Sequence, residues 1–462
     1  MMTTPVEMNQ VYTISVTDLG IHGEGIGRVG GFTVFVPGAL PGETVSARIA
    51  VVKKSYAAGR LMEIVTPSPD RVVPACPVYS QCGGCQISHL SYEGQCRAAE
   101  RLVRNVVERI GGYDPDIVRP VLAAADPFHY RNKMAVPVGK GKGGAVLGYY
   151  RQGSHAIVPV ERCAIQREEN NRLLAFARDF IHRHGLVPYN EKTGKGTVRH
   201  VMGRVGAEGK LMAVIVTASQ EMPFEKEWVS EMRRALPEVV SIYHNVQSRR
   251  SNAILGRELR LLWGERALAA TLCGLRFEVS PFSFFQVNQR QAEVLYGEAL
   301  SMAALTGKET VIDAYCGTGT ISLCLAQKAK KVIGIEIVEP AVENARENAK
   351  RNGISHAEFI AGDAAEIMPR LYREGLAPDV IVCDPARAGC DEKVLAAAAG
   401  MAPARIVYVS CSPSTFARDA ARLRPLGYVL RQVQPVDMFP QTMHVELVGL
   451  FTKEAEDKDR RE

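Results

Sequence analysis

The chain has 462 residues, enough for two to four domains, and its 46% hydrophobic and 23% charged content is ordinary for a globular protein. Its formal net charge of +6, from 56 basic and 50 acidic residues, is a mild bias, so nucleic-acid binding would have to depend on local patches. Because the first ten residues lack the apolar core of a signal peptide and no apolar run has the length of a membrane span, we expect a cytoplasmic protein without membrane contacts.

Residues 8–67 are predicted to form a small all-β module. Four segments have the pattern of strands: 11–16, 32–36, 45–52 and 60–65. Glycines between Gly20 and Gly31 are expected to mark turns. Small barrels often bind oligonucleotides, and basic and aromatic side chains occur together here: Lys53, Lys54, Tyr56 and Arg60. The alternative, a solvated turn with ordinary lysines, is left open by these residues.

A linker with three prolines at 67–74 leads into a cluster of cysteines. Eleven cysteines without a secretion signal argue against a disulfide framework, so clustered thiols favour metal binding or catalysis. Three of them fall within ten residues: Cys76, Cys82 and Cys85. The distant Cys163 or the nearer Cys96 could supply a fourth ligand. Since zinc sites usually combine two close pairs and no second pair is present, the spacing favours a structural iron–sulfur cluster over zinc or unrelated thiols.

The middle of the chain is predicted to be mixed α/β. Residues 93–111 have apolar residues at helical spacing, and 128–280 contains strand-like runs such as 212–217 and 239–245. Three basic motifs lie here: Tyr130-Arg131-Asn132-Lys133, Tyr149-Tyr150-Arg151 and Arg199-His200. The pattern does not predict the topology of this region.

From residue 281 onward, strands alternate with helices, which predicts a doubly wound parallel sheet. The strand-like runs are 310–314, 331–336, 357–361, 380–384 and 405–410, with helical stretches that include 340–352 and 393–400. Two closing strands, 428–435 and 444–452, are joined by a loop. The charged tail at 453–462 is expected to be disordered.

The first strand of this sheet leads into a glycine-rich turn, Asp-Ala-Tyr-Cys-Gly-Thr-Gly-Thr at 313–320. Glu336 ends the next strand about 20 residues later, where a carboxylate can hold ribose hydroxyls. Gly362-Asp363 and Asp384-Pro385 follow the third and fourth strands. A dinucleotide enzyme stays open, but acidic residues after successive strands are more typical of a Rossmann-like S-adenosylmethionine methyltransferase.

Cys411 follows the apolar strand at 405–410, at the end of the sheet where open α/β folds place ligands and chemistry. Glu446 lies on a later strand. A thiol, a cofactor site and a carboxylate together suggest covalent catalysis on an electrophilic base ring. Taken alone, Glu446 could be a solvated edge residue, and a cysteine that ends a strand is most often core. We expect that core role for three others: Cys316, Cys324 and Cys383.

These motifs resemble those of bacterial RNA uracil-C5 methyltransferases of the TrmA superfamily, in the RumA/RlmD and RlmCD branch. The resemblance spans nearly the whole chain, including the leading barrel and the cysteines. Its longest motifs are Ser280-Pro281-Phe282-Ser283-Phe284-Phe285-Gln286-Val287-Asn288, Asp313-Ala314-Tyr315-Cys316-Gly317, Asp384-Pro385-Ala386-Arg387-Ala388-Gly389, Ser410-Cys411-Ser412-Pro413 and Phe439-Pro440-Gln441-Thr442-Met443-His444-Val445-Glu446. It implies S-adenosylmethionine-dependent formation of 5-methyluridine. The transfer RNA branch generally lacks the barrel and the cysteine cluster, so the implied partner is 23S ribosomal RNA.

The resemblance assigns roles by position. Cys411 matches the nucleophile and Glu446 the base. The cofactor-site positions are Gln286, Tyr315, Thr320, Glu336, Asp363 and Asp384. The positions that hold a [4Fe-4S] cluster are Cys76, Cys82, Cys85 and Cys163. Thr320 and Ser412 each replace an asparagine that is common at their positions. Asp384 is further expected to hydrogen-bond the uracil edge, and Phe284 and Phe285 to form walls of a flat base pocket.

The implied fold class is α/β, a Rossmann-like methyltransferase domain preceded by a barrel and an α+β domain. The expected division is a TRAM-type, OB-like RNA-binding barrel at 1–68, a central iron–sulfur and RNA-binding domain at 69–280, a catalytic domain at 281–455 and a disordered tail at 456–462. Within the central region, the helix at 93–113 is expected to be able to pack on the catalytic domain. No obligate protein partner is implied, and we expect a monomer.

Other functions compete with this interpretation. A transfer RNA uracil-C5 methyltransferase would use the same chemistry. An RNA cytosine-C5 methyltransferase would be expected to carry a cysteine after a proline on the fourth strand, whereas this chain has Cys383-Asp384-Pro385. An RNA-binding module with a decayed enzyme domain is disfavoured by the intact Cys411 and Glu446.

Overall fold

The structure is a computed structural model that describes residues 4–141 and 143–454. The tail at 456–462, predicted to be disordered, lies outside these residues. In the described part, the chain forms a closed barrel, two seven-stranded sheets and a two-stranded hairpin. No helix in that part is long and apolar enough to cross a membrane.

The amino-terminal barrel has five strands in the order β1-β2-β3-β5-β4. They are β1 (Val11–Leu19), β2 (Glu24–Val29), β3 (Phe32–Pro37), β4 (Thr44–Val52) and β5 (Tyr56–Thr66). The sequence pattern predicts the other four strands but not β2, because glycines such as those in β2 are typical of turns. Gly27 instead allows close packing within the barrel: a Cβ there would lie 2.3 Å from the Ile14 side chain. Alternate side chains point inward and form the core of the barrel.

Helix α1 (Tyr92–Arg109) connects the barrel to the carboxy-terminal sheet. Ser91 caps its amino terminus by accepting a hydrogen bond from the backbone N–H of Gly94. Arg101 donates to the carbonyl oxygen of Thr17 in the barrel at 3.1 Å. On the other face, Val103 and Val107 are fully buried in the core of the carboxy-terminal sheet. This helix therefore packs on the carboxy-terminal sheet, as expected for the helix at 93–113.

The central sheet is mixed, with the order β12-β11-β10-β9-β6-β7-β8. Its strands are β6 (Lys133–Gly141), β7 (Gly144–Tyr150), β8 (Ile157–Pro159), β9 (Val198–Val205), β10 (Leu211–Thr217), β11 (Val239–Val246) and β12 (Glu258–Gly264). Helices α2 (Glu168–Arg183) and α3 (Glu225–Ala235) contribute Phe180 and Trp228, whose rings meet edge to face at 5.0 Å in its core. The hairpin β13 (Leu268–Leu272) and β14 (Leu275–Val279) then leads into helix α4 (Gln289–Ala303).

The carboxy-terminal sheet has the order β17-β16-β15-β18-β19-β21-β20. Its strands are β15 (Thr310–Asp313), β16 (Lys331–Glu336), β17 (Ala357–Ala361), β18 (Val380–Cys383), β19 (Arg405–Ser410), β20 (Tyr428–Val436) and β21 (Glu446–Lys453). The helices between them are α5 (Thr320–Ala326), α6 (Glu339–Arg351), α7 (Ala364–Arg373), α8 (Glu392–Gly400) and α9 (Pro413–Leu423).

The first five strands of this sheet are parallel, and β21 inserts antiparallel between β19 and β20. Apolar cores cover both faces, as buried parallel strands require. The strand order reverses between β15 and β18, the position at which open α/β sheets form a ligand-binding crevice beside the carboxyl ends of their strands. The predicted parallel α/β sheet is therefore confirmed.

Candidate active site

The parallel strands end at one edge of the sheet, and four predicted site residues, together with Asp313, lie at or just after these ends. Across the sheet from β17 to β19, these residues are Asp363, Glu336, Asp313, Asp384 and Cys411. Residues that are up to 98 positions apart in sequence are thus collected along one edge because carboxyl ends of parallel strands coincide.

Glu446 reaches the same edge from the opposite direction. It is the first residue of β21, which runs antiparallel to β19, and the register pairs Ser410 with Leu447. One step further along both strands, Cys411 and Glu446 are therefore neighbours. Their proximity has an electrostatic effect, since the carboxylate of Glu446 raises the pKa of the Cys411 thiol in addition to the larger effect of burial.

Three carboxyl groups at this edge are held in a weakly solvated environment. Burial, with a smaller contribution from Asp384, raises the pKa of Glu446 to about 8. Burial and the charge of Asp313 raise the pKa of Asp384 to about 7. Asp313 has its pKa raised to about 6 by burial, although Ser322 donates a 2.6 Å hydrogen bond to it. These groups can therefore take up or release protons near neutral pH.

Two residues at this site were not assigned roles from the sequence. Arg387, in the loop after β18, lowers the pKa of both Cys411 and Glu446 through its positive charge. Arg387 lies within the Asp384–Gly389 motif, so this motif could have identified it from the sequence. Tyr296 is 1% exposed on α4, and its hydroxyl lies 3.4 Å from the Thr320 hydroxyl. An aromatic at helical spacing predicts only core packing, so no sequence signal distinguished Tyr296.

The glycine-rich turn after β15 brings together two of the predicted cofactor positions. Gly317 and Gly319 have φ angles of 53° and 82°, which a side chain would disfavour. The backbone N–H of Gly317 donates to Glu336 at 3.1 Å, so the carboxylate that ends β16 also fixes the turn. Asp363 caps α7 by accepting from the N–H of Ala365 at 2.8 Å. The turn and both carboxylates therefore lie at the carboxyl ends of the strands, where open α/β sheets bind ligands.

Two of the remaining predicted cofactor residues adjoin the glycines of this turn. Thr320 begins α5 directly after it, and Tyr315 precedes it with a partly buried ring. Gln286 is 8% exposed, and its backbone carbonyl accepts a hydrogen bond from Asn132 at 2.9 Å.

The two neighbouring phenylalanines in the same motif differ in environment. Phe284 is 76% exposed, whereas Phe285 packs on Phe277 in the core. The expectation that Phe285 forms a wall of the base pocket is therefore wrong, because its ring stabilises the hairpin instead.

The four predicted cluster ligands line one cavity of about 410 Å³: Cys76, Cys82, Cys85 and Cys163. We call residues 76–87 the cysteine loop. Burial and the neighbouring thiols raise the pKa of Cys85 to about 12, and burial also raises the pKa of Cys82 and Cys163. Within residues 4–141 and 143–454, however, no group of three or more His, Cys, Asp or Glu side chains is arranged to hold a metal ion. The predicted iron–sulfur site is therefore not confirmed.

Arg131 and Lys133 line the same cavity. Burial, Arg204 and Arg131 lower the pKa of Lys133 to about 8. Both basic side chains therefore lie in the cavity that the four thiols line.

Comparison with known proteins identifies the relatives of this chain. Residues 273–454 match the tRNA (uracil-5-)-methyltransferase family, and residues 5–62 match the TRAM domain. An uncharacterized RNA methyltransferase of Bacillus cereus is 48% identical over 453 residues, which are 98% of each chain. One of Clostridium tetani is 44% identical over 449 residues, 97% of each chain. The chain belongs to the RNA uracil-5-methyltransferase family of the TrmA type.

A solved structure extends this likeness to the whole architecture of the methyltransferase. The Pyrococcus abyssi tRNA (uracil-54, C5)-methyltransferase, in complex with S-adenosyl-L-homocysteine, superposes with a TM-score of 0.77 and 27% identity. The match covers 96% of this chain and 100% of that chain. The predicted family, the TRAM barrel and the S-adenosylmethionine methyltransferase fold are thus confirmed, and the enzyme is an RNA methyltransferase.

Proposed function

We propose that this enzyme methylates C5 of uracil in 23S ribosomal RNA, with Cys411 as nucleophile and Glu446 as base. The observation that carries the proposal is the meeting of Cys411, Asp384 and Glu446 at one sheet edge, beside the crevice between β15 and β18. A thiol, a base and a cofactor crevice are the groups that C5 methylation of a uracil requires.

Uracil C5 is a poor nucleophile, and covalent addition solves this problem. The Cys411 thiolate adds to C6, and the electrons of the C5–C6 double bond move toward O4 to give an enolate with a nucleophilic C5. Once C5 carries the methyl group, Glu446 takes the C5 proton. The electrons of that C–H bond restore the double bond as the C6–S bond breaks, which returns the thiolate to Cys411.

The electrostatics of the described residues suit these roles. Arg387 favours the thiolate of Cys411, which burial and two carboxyl groups otherwise disfavour. A carboxyl group whose pKa is raised to about 8 is a stronger base than an ordinary glutamate and can hold the proton it removes. Asp384, beside both, is available to hydrogen-bond the uracil edge.

S-adenosylmethionine would supply the methyl group. The residues proposed to hold it are Gln286, Tyr315, Thr320, Glu336, Asp363 and Asp384. The positive φ angles of Gly317 and Gly319 let the backbone pass close to a ligand, and Glu336 ends β16 where ribose hydroxyls bind in such folds. The residues present therefore fit this cofactor.

The target uracil must leave its stack to reach Cys411, which favours a single-stranded or loop target. Phe284 is exposed in the motif that also contains Gln286, and its ring is available to stack on a base. Lys53, Lys54 and Arg60 are exposed on the barrel and can contact phosphates.

The four cysteines are proposed to hold a [4Fe-4S] cluster. Their thiols line one cavity, and four thiolates are the usual ligand set of such a cluster. Arg131 and Lys133 would offset part of its negative charge. None of the steps above requires an electron, so the cluster would have a structural role.

A transfer RNA substrate is the second candidate. The Pyrococcus abyssi structure is a tRNA (uracil-54, C5)-methyltransferase and matches 96% of this chain. A match of that extent includes most of the barrel, so the barrel alone does not favour ribosomal RNA. The proposal for 23S ribosomal RNA therefore depends on the bacterial branch that the motifs resemble.

Two experiments test these proposals. Purified enzyme is offered protein-free 23S ribosomal RNA and transfer RNA, and 5-methyluridine is mapped in each. Clear preference for transfer RNA would overturn the ribosomal assignment but leave the chemistry intact.

In the second experiment, the Glu446→Gln variant should add to uracil and transfer the methyl group, then stall as a methylated protein–RNA adduct. Normal turnover by this variant would require a different base, with His444 the next candidate.

A further inference from the structure

The loop between β20 and β21, residues 437–445, leads directly into Glu446. Gln441 lies near its middle, is 3% exposed and has a φ of 74°. A residue other than glycine adopts this conformation only where its surroundings hold it. The contacts of Gln441 therefore show what determines the path of this loop.

The cysteine loop holds the Gln441 carbonyl. The backbone N–H groups of Gln86 and Ile87 donate to this single oxygen at 3.1 and 3.2 Å. Gln86 directly follows Cys85, and its own carbonyl accepts a 2.6 Å hydrogen bond from the Tyr79 hydroxyl. The position of Gln441 thus depends on the fold of the cysteine loop.

A residue of helix α1, Gln95, binds the backbone N–H and the side-chain oxygen of Gln441. The Gln95 side chain accepts from the Gln441 backbone N–H at 2.9 Å and donates to the Gln441 side-chain oxygen at 3.2 Å. Gln95 is 5% exposed, and its Nε2 also donates to the Leu90 carbonyl at 2.9 Å. Two buried amides are thereby joined by a pair of reciprocal hydrogen bonds, with little water available to replace them.

Hydrogen bonds within the loop connect the residues beside Gln441 to those that precede Glu446. Thr442 donates through its N–H and hydroxyl to the Phe439 carbonyl at 3.2 and 2.8 Å. The same hydroxyl accepts from the N–H of His444 at 3.2 Å. On the far side of Gln441, the Tyr130 hydroxyl donates to the Pro440 carbonyl at 3.1 Å.

We infer that Gln95 and Gln441 are positioning residues that couple the cysteine loop and α1 to the base Glu446. This inference rests on the proposed role of Glu446 in taking the C5 proton. Neither glutamine touches the reacting atoms. A base works only within hydrogen-bond reach of the proton it removes, so a shift of the loop should slow proton removal and leave earlier steps unchanged.

Gln95→Met tests this, because methionine keeps the length of the side chain and removes all three hydrogen bonds. Gln247→Met is the matched control. Gln247 is 3% exposed and its side chain also makes three hydrogen bonds, to Ala253, Leu255 and Arg249, but it directly follows β11 of the central sheet. Both variants and Glu446→Gln are compared with wild type on the RNA that wild type methylates, from 23S or transfer RNA transcripts.

For Gln95→Met we expect release of methylated RNA, and therefore kcat, to fall about 10-fold or more, since a general base contributes about 10²–10⁴-fold. Adduct formation with 5-fluorouracil RNA and kcat/KM should stay near wild type. Equal loss of adduct formation and release, or the same kinetics as Gln247→Met, would overturn the inference. Failure of Glu446→Gln to stall would instead refute the proposed base and the inference together.

Discussion

Glu446 should destabilise the unliganded enzyme, and removing its charge should make the protein more stable. Its pKa is raised by burial from 4.5 to about 8. Between these values the folded protein binds more protons than the unfolded chain, so the stability contributed by this group falls as pH rises. A glutamine has almost the same shape and does not titrate. Glu446→Gln should therefore gain stability relative to wild type as pH rises from 5 to 8.

The size of the effect follows from the shift, since each pKa unit corresponds to about 1.4 kcal/mol. The advantage of Glu446→Gln in the free energy of unfolding should be about 1 kcal/mol at pH 5 and about 4 kcal/mol at pH 8. With a urea slope of roughly 2 kcal/mol per molar, the midpoint should rise by about 0.5 M at pH 5 and roughly 2 M at pH 8.

The assay is urea unfolding of wild type and variant without cofactor or RNA, at several values between pH 5 and 8. Glu343→Gln, on the exposed side of α6, is the matched control and should change neither midpoint nor its pH dependence. A difference between Glu446→Gln and wild type that is constant with pH, or a lower midpoint for the variant at pH 8, would refute the reasoning.

Three further predictions concern the nucleophile, the cysteines and the barrel. Cys411→Ala should retain cofactor binding but lose turnover and the adduct with 5-fluorouracil RNA; substantial residual methylation would remove Cys411 from the mechanism. Protein purified without oxygen should be brown and contain about four irons per chain, and Cys85→Ser should lose this iron. Stoichiometric zinc without iron would contradict the cluster. Replacing Lys53, Lys54 and Arg60 together with alanine should weaken RNA binding and reduce its salt slope by about three, with cofactor binding unchanged; an unchanged slope would show that RNA lies elsewhere.

The catalytic sheet was predictable because its signals are local. Each strand from β15 to β19 is a short apolar run, and helices between parallel strands bring the strand ends, and hence Asp384 and Cys411, to one edge. The position of Glu446 cannot be predicted from local signals alone, because β21 must insert antiparallel between β19 and β20. The family resemblance assigns Glu446 the role of base, but its proximity to Cys411 follows only from the pairing of β21 with β19.

The central sheet could not be predicted for a related reason. Its strand β9 pairs with β6 and β10, and β10 pairs in parallel with β11, so the order depends on long-range contacts that periodicity does not encode. The contact between Tyr296 and Thr320 could not be predicted for the same reason. The place of Tyr296 on α4 fits a core position, and its approach to Thr320 appears only after α4 packs on the sheet.

The contacts of the β20–β21 loop also bear on when the protein can become active during its synthesis. Gln95 and Gln441 are 346 residues apart, and the Tyr92 hydroxyl donates to Asp437 across 345 residues. At about 5–20 residues per second, a ribosome needs roughly 17–70 s to add the second partner after the first. The barrel and α1 therefore leave the ribosome long before the strand that carries Glu446 exists. Nascent chains should be inactive until translation is nearly finished, and truncated products should carry no methylating activity.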